Sequence, residues 1–120
     1  MGRPLQEVEP CIYCGVPASS IDHIPPRIMR QRLADLGEYV GTWAEVPACR
    51  WCNSQIGDLA LLTITDRKLY IKQRIRVKFK KLLSSPDWNE EQLSELGYSL
   101  KTKIVSAMAK KRLLKQRLAW

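Results

Sequence analysis

The feature that most constrains this chain is a pair of C-x-x-C motifs, Cys11 with Cys14 and Cys49 with Cys52, which hold all four of its cysteines. A two-residue spacer lets both sulfurs of a motif turn toward one point, so two motifs can supply four thiolates to one tetrahedral Zn²⁺. Two disulfides, or four unrelated buried thiols, are the alternatives. Disulfides require an oxidising compartment, and the N-terminal residues carry no export signal. We therefore predict a structural zinc site.

Three polar residues accompany the cysteines: Asp22 and His23 lie between the motifs, and Asn53 directly follows the second. His23, the single histidine of the chain, can take a proton from water near pH 7, and a carboxylate such as Asp22 can bind a hard cation. Asn53 is expected on the first turn of a helix, where its amide oxygen could join Asp22 on Mg²⁺. The alternatives are a hydrogen-bonded or solvated histidine and an asparagine that only caps its helix.

The order C-x-x-C, Asp-His, C-x-x-C-Asn resembles that of the HNH, or His-Me finger, nucleases, and most closely their zinc-bound phage endonuclease VII-like branch. The resemblance covers residues 11–58 and implies a zinc-stapled ββα-metal core, similar to a treble clef. It implies a metal-dependent endonuclease that hydrolyses phosphodiester bonds of DNA, with His23 as the general base. It also implies a catalytic Mg²⁺ or Mn²⁺ at Asp22 and Asn53, and structural zinc at Cys11, Cys14, Cys49 and Cys52.

One departure from that family keeps other functions open. Many members carry an asparagine a few residues before the second motif, where this chain has Ala44 and Glu45. A second hypothesis is therefore a non-catalytic zinc module that binds nucleic acid or protein on the same scaffold, such as a phage regulator of host machinery. A third is an adaptor that binds an acidic protein through basic helices. The presence of Asp22, His23 and Asn53 together favours the nuclease.

The charge of the chain is unevenly distributed. The net charge of +8 indicates an anionic partner. Residues 1–60 carry five basic and seven acidic side chains, whereas residues 61–120 carry fifteen and five. We therefore predict a single α+β domain over residues 1–120, in which a zinc-bound core at 11–61 precedes a basic α-helical extension at 62–120.

The apolar pattern predicts the elements of both parts. Two strands at 16–24 and 39–48, with a helix at 27–36 that stops at Gly37 and another at 50–61, form the core. The extension is predicted to hold a helix at 65–83, a short helix capped by Asn89 with Gln92 as its capping-box partner, and a helix at 100–118 capped by Ser99. The apolar face of the helix at 65–83 is formed by Ile71, Ile75, Phe79 and Leu82. This stripe and that of the last helix indicate an intramolecular core or a homodimer seam, and both remain open.

Basic residues crowd the predicted helix at 65–83 with almost no acid among them. Such a face favours contact with nucleic-acid phosphates over a merely solvated surface, and it predicts little sequence preference. DNA is the expected partner, with RNA as the alternative. The predicted contacts are Arg27, Arg30, Arg67, Lys68, Lys72, Arg74, Arg76, Lys78, Lys80 and Lys81.

No segment of the sequence is long and apolar enough for a signal peptide or a membrane helix. We therefore expect a cytoplasmic protein, in the host cytoplasm if a phage encodes it.

Overall fold

The computed structural model describes residues 8–36 and 44–120, except for the side chains of residues 31–34 and 36. The elements are β1 (Ser20–Ile24), α1 (Arg27–Leu36), β2 (Ala44–Ala48), α2 (Arg50–Ile56), α3 (Ile64–Lys78), α4 (Lys80–Leu83), α5 (Glu90–Ser94) and α6 (Tyr98–Ala119). The small α+β class is confirmed, as is the helix predicted at 27–36. The treble-clef-like assignment stays a prediction.

Strands β1 and β2 form an antiparallel hairpin in which Asp22 lies opposite Val46 and His23 lies opposite Glu45. Side chains alternate between the two faces of a strand, so Asp22 is buried on one face while His23 lies on the other. The first strand is shorter than predicted, since its pairing with β2 ends where Ser20 lies opposite Ala48, and Pro17 makes an isolated bridge with Pro10 instead. Gly37 and the predicted strand residues 39–43 lie outside the described residues.

Helix α2 begins immediately after Cys49, whose sulfur accepts a hydrogen bond from the backbone N–H of Cys52 at 3.4 Å. The helix ends at Ile56 because Gly57 adopts a positive φ of 51°. The prediction that this helix reaches residue 61 is therefore wrong at its C-terminal end. The early stop lets the following residues turn toward α3.

The helix predicted at 65–83 is two helices, since the backbone breaks at Phe79. Helix α3 begins at Ile64, and its N-cap is Thr63, whose hydroxyl accepts a hydrogen bond from the N–H of Asp66 at 3.0 Å. Ile71 and Ile75 are fully buried, which confirms the predicted apolar face. Helices α3 and α4 both pack against α6.

The capping box of α5 is confirmed: Asn89 Oδ1 accepts from the N–H of Gln92 at 2.8 Å, and Gln92 Oε1 accepts from the N–H of Asn89 at 3.0 Å. Helix α6 starts two residues earlier than predicted, at Tyr98, and Gly97 is its N-cap. Ser99 therefore lies within the helix and is not its cap. None of the described helices combines the length and the apolar character needed to cross a membrane.

Candidate metal centre and hairpin site

The four cysteines converge on one buried point. Their sulfur atoms all lie within 4.8 Å of one another, and each is a free thiol. Cys11 and Cys14 belong to the turn before β1, whereas Cys49 and Cys52 lie at the start of α2. The sulfurs of Cys14 and Cys49 are 3.7 Å apart, close to the roughly 3.8 Å expected for two ligands of tetrahedral zinc with Zn–S bonds of about 2.3 Å. The cluster can therefore hold a metal such as zinc.

The crowded sulfurs alter one another's ionisation. Hydrogen bonds from the thiols of Cys14, Cys49 and Cys52 lower the pKa of Cys11. The same contacts act in the opposite sense on Cys52, where the neighbouring sulfurs of Cys11, Cys14 and Cys49, together with burial, raise the pKa. Four thiolates at this spacing repel one another, so a bound cation is what would allow all four to be deprotonated together.

Asp22 was expected to hold a catalytic cation, but its carboxylate is buried and bonded to protein. Its Oδ2 accepts hydrogen bonds from the Tyr13 hydroxyl at 2.6 Å and from the guanidinium of Arg67, while Oδ1 accepts from the backbone N–H of His23 at 3.0 Å. Arg67 already supplies the compensating positive charge. These surroundings do not fit a divalent cation at Asp22. The predicted ion at Asp22 and Asn53 stays a prediction without support from these contacts.

The prediction that Arg67 contacts nucleic acid is wrong, because its side chain is 0% exposed and cannot reach a phosphate. Besides Asp22, its guanidinium donates to the carbonyl oxygens of Leu61 at 2.6 Å and of His23 at 3.4 Å. It thus ties α3 to the hairpin. The sequence held a signal for this position, since Arg67 precedes the buried Ile71 and Ile75 at a spacing of four residues on one helix face.

His23 lies on the hairpin face opposite to Asp22, and 24% of its side chain is exposed. Its Nε2 is 3.5 Å from Oε1 of Glu45 on the neighbouring strand. Sequence reasoning did not include Glu45 in the site. The residue became recognisable only once the strand register placed it directly opposite His23.

Asn53 reaches back from α2 to the first strand. Its Nδ2 donates to the hydroxyl of Ser20 at 3.2 Å and to the carbonyl of Ile21 at 3.3 Å. These contacts hold α2 against β1 through the amide nitrogen and not through the oxygen that was expected to bind a cation. The structure therefore brings Asn53 to the strand of Asp22 and His23, but it separates the carboxylate from the imidazole.

The other nine predicted phosphate contacts fall into three groups. Three of them donate within the protein: Arg30 to the carbonyls of Pro25 and Ala44, Lys68 to the main-chain oxygen of Trp120, and Arg74 to Oε1 of Gln55. Lys72 is half-buried. Those that are exposed, and so best placed to meet an anion, are Arg27, Arg76, Lys78, Lys80 and Lys81.

A basic-aromatic surface, formed by Trp51, Lys78, Phe79 and Lys110, lies where α2, α3 and α6 meet. The two rings have their centroids 6.4 Å apart. The Lys78 ammonium is 5.8 Å from the Trp51 centroid and 5.7 Å from that of Phe79, and Lys110 is 5.2 Å from Phe79. Within residues 8–36 and 44–120, neither lysine pairs with an acidic side chain. Both charges therefore remain available to an anion.

Comparison of the chain with protein-family models, with curated proteins and with solved structures finds no match. The resemblance to HNH nucleases therefore rests on the motifs of residues 11–58, and the function has to be argued from the site.

Proposed function

We propose that this chain is a zinc-stabilised endonuclease that hydrolyses phosphodiester bonds of DNA, with His23 as the general base. The observation that carries the proposal is the approach of Glu45 to Nε2 of a partly exposed His23, on a hairpin anchored beside the cysteine cluster. A carboxylate facing Nε2 favours the tautomer that is protonated there. Nδ1 then keeps the lone pair that accepts a proton from the attacking water.

Zinc at the four sulfurs has a structural role in this proposal. It joins the turn at residues 11–14 to the start of α2, and so fixes both ends of the hairpin. With four protein ligands it leaves no open position for substrate. Asn53 adds a second link between α2 and β1 through its hydrogen bonds to Ser20 and Ile21.

A catalytic Mg²⁺ or Mn²⁺ belongs to the proposal as an expectation from the HNH resemblance. When bound, such an ion polarises a phosphate oxygen and stabilises the leaving oxygen. Because Arg67 and Tyr13 occupy the carboxylate of Asp22, we assign no step to an ion at that residue.

Binding of DNA is proposed to use the exposed positive charge of residues 62–120, which we call the helical half. The basic-aromatic surface supplies two ammonium groups beside two ring faces, and Arg76, Lys80 and Lys81 extend the positive charge along α3 and α4. Lysine and arginine contacts to phosphates position the duplex without reading its sequence. We therefore expect affinity for DNA with little sequence preference.

A second candidate function is favoured by one observation, the buried ion pair of Asp22 with Arg67. A carboxylate that is paired with a buried arginine can stabilise the fold without taking any part in a reaction. The second candidate is therefore a zinc-dependent nucleic-acid-binding module that does not cleave.

A plasmid-nicking assay separates the two. Supercoiled DNA is incubated with the zinc-loaded protein in Mg²⁺, in Mn²⁺ or in EDTA. His23→Ala is compared with wild type and with Ile21→Ala, a matched control on the same face of β1 whose side chain is 57% exposed. Loss of a general base should slow nicking by about 100-fold or more, and the control should cleave like wild type.

The outcomes discriminate between the candidates. Equal nicking by wild type and His23→Ala refutes the catalytic assignment. Binding without nicking, with affinity that falls steeply as salt rises, supports the non-catalytic module. If nicking persists in EDTA but disappears in His23→Ala, His23 remains the proposed general base and the catalytic cation is withdrawn from the proposal.

A further inference from the structure

Arg117, near the end of α6, faces the cysteine cluster. Its Nη2 lies 3.9 Å from the sulfur of Cys52, and its guanidinium carbon is 4.9 Å from the centroid of the Trp51 ring. In the described part of the chain no carboxylate pairs with this guanidinium. The guanidinium therefore faces the sulfur cluster, which becomes anionic when its thiols lose their protons to bind a metal.

The same end of α6 also contacts the first C-x-x-C turn. The indole N–H of Trp120 donates to the carbonyl of Ile12 at 3.0 Å. The ring lies directly on Gly15, where an added Cβ would come within 2.6 Å of it, and Gly15 also has a φ of 82°. On the other side, Lys68 of α3 donates to the main-chain oxygen of Trp120. The C-terminal end of α6 is thus held beside the cluster by Arg117 at Cys52 and by Trp120, which follows the helix, at the first C-x-x-C turn.

We propose that Arg117 is the charge partner of the metal centre and sets its affinity for zinc. Four thiolates around Zn²⁺ carry a net charge of about −2, and a guanidinium against one of the sulfurs offsets part of it. Groups that contact metal ligands from outside orient them and tune the strength of metal binding. Trp120 assists by holding the turn that carries Cys11 and Cys14. Both are positioning residues, since each would act on a bound ion only through the cysteines or the turn that carries them.

This inference depends on the cysteine cluster holding a metal, and it is independent of nuclease activity. Other arginines and lysines of α6 do not share the role. Arg112, five residues earlier on the same helix, is exposed, and no hydrogen bond or ion pair joins it to the cysteines. It provides a matched control for the loss of one positive charge from α6.

The test is competition for zinc between the full chain and a colorimetric chelator. Arg117→Met removes the charge while retaining most of the aliphatic volume, Arg117→Lys retains the charge, and Arg112→Met is the control. We expect Arg117→Met to bind zinc about 10-fold to 100-fold more weakly than wild type. Arg117→Lys should retain most of the affinity, and Arg112→Met should match wild type.

Two results would overturn the proposal. One is an affinity of Arg117→Met equal to that of wild type and Arg112→Met. The other is equal weakening in Arg117→Met and Arg117→Lys, because that would assign the effect to shape instead of charge. Circular dichroism of each zinc-loaded variant checks the fold, and Arg117→Gln replaces Arg117→Met if the latter does not fold. If the wild-type chain binds no zinc, there is no metal centre and this inference fails with it. If the chain binds zinc but does not nick DNA, the proposed nuclease function fails and this inference stands.

Discussion

The cysteine-bearing half, residues 11–61, and the helical half, residues 62–120, are each stabilised by different contacts. The buried hydrophobic cluster of the described ranges has twelve members, of which nine lie between residues 11 and 56, and four of those nine are the cysteines. The helical half contributes only Ile71, Ile75 and Leu114, while Val77, Tyr98 and Leu100 of its helices remain exposed. The cysteine-bearing half therefore serves as the core on which the basic helices are mounted, and the contacts that join the halves should matter more than those within the helices.

The largest effect is expected from the loss of one cysteine of the proposed zinc site. Cys49→Ser leaves three thiolates, whereas the new hydroxyl can still cap α2, so the effect reports on the metal site. Because structural zinc contributes on the order of 10 kcal/mol to small domains, we expect residues 11–56 to unfold. Hydrogen exchange should then show fast amide exchange throughout the hairpin and α2, whereas the exposed Ser54→Ala should resemble wild type. Protected hairpin amides in Cys49→Ser would contradict the central role of the cluster.

Arg67→Met cuts the ion pair that joins α3 to the hairpin and leaves the carboxylate of Asp22 buried without its cation. Removing one partner of a buried ion pair typically costs about 3–5 kcal/mol, so we expect a loss of that size in the free energy of unfolding. Urea denaturation measures it, and the exposed Arg76→Met on the same helix is the control. In the double variant Asp22→Asn with Arg67→Met, part of the stability should return. A change below about 0.5 kcal/mol in Arg67→Met would mean that the halves are joined elsewhere.

Lys111→Met tests a contact within the helical half, where smaller effects are expected. The buried ammonium of Lys111 donates to the carbonyl of Ser85 at 2.5 Å and to Oδ1 of Asp87 at 3.1 Å. We expect a loss of about 1–3 kcal/mol in urea denaturation. Lys111 also lowers the pKa of Asp87, so the contribution of this pair is present above the ordinary pKa of an aspartate and is lost as pH falls through the lowered value. Lys111→Met should weaken that pH dependence, with a smaller part remaining from Lys115 and Arg112, and equal slopes in both proteins would count against the pair.

The smallest expected effect concerns binding and not stability. Lys78→Ala with Lys110→Ala removes both ammonium groups of the basic-aromatic surface. Because each lysine at a phosphate releases about one counterion, the logarithm of DNA affinity should depend less on salt by about two units of slope. Lys101→Ala with Lys103→Ala, which removes two exposed charges at the other end of α6, should change the slope less. Identical slopes in the two variants would mean that binding follows total charge and uses no defined surface.

The sequence predicted features whose causes are local or repetitive. The capping box at Asn89 and Gln92 needs only a four-residue motif, and the buried face of Ile71 and Ile75 follows from helical spacing. The pairing of the two C-x-x-C motifs was recognisable because short spacing fixes each pair of sulfurs. These features were correct without knowledge of the tertiary structure.

The errors arose where distant residues decide the outcome. Arg67 resembles its basic neighbours until a buried carboxylate 45 residues away is placed beside it. The contact of Trp120 with Ile12 likewise joins residues 108 apart in the chain, and that of Arg117 with Cys52 joins residues 65 apart. Glu45 entered the site only through the strand register. Helical spacing can place Arg67 on the buried face of α3, but no local pattern identifies the distant partners of these residues.

The measurement that tests the account most directly is the metal content of the purified full-length chain by native mass spectrometry, combined with the zinc-edge X-ray absorption spectrum. The account predicts one zinc per chain, four sulfur neighbours at about 2.3 Å, and cysteines that resist alkylation until a chelator is added. A chain without metal whose mass shows two disulfides, or one whose four thiols react freely, would contradict it.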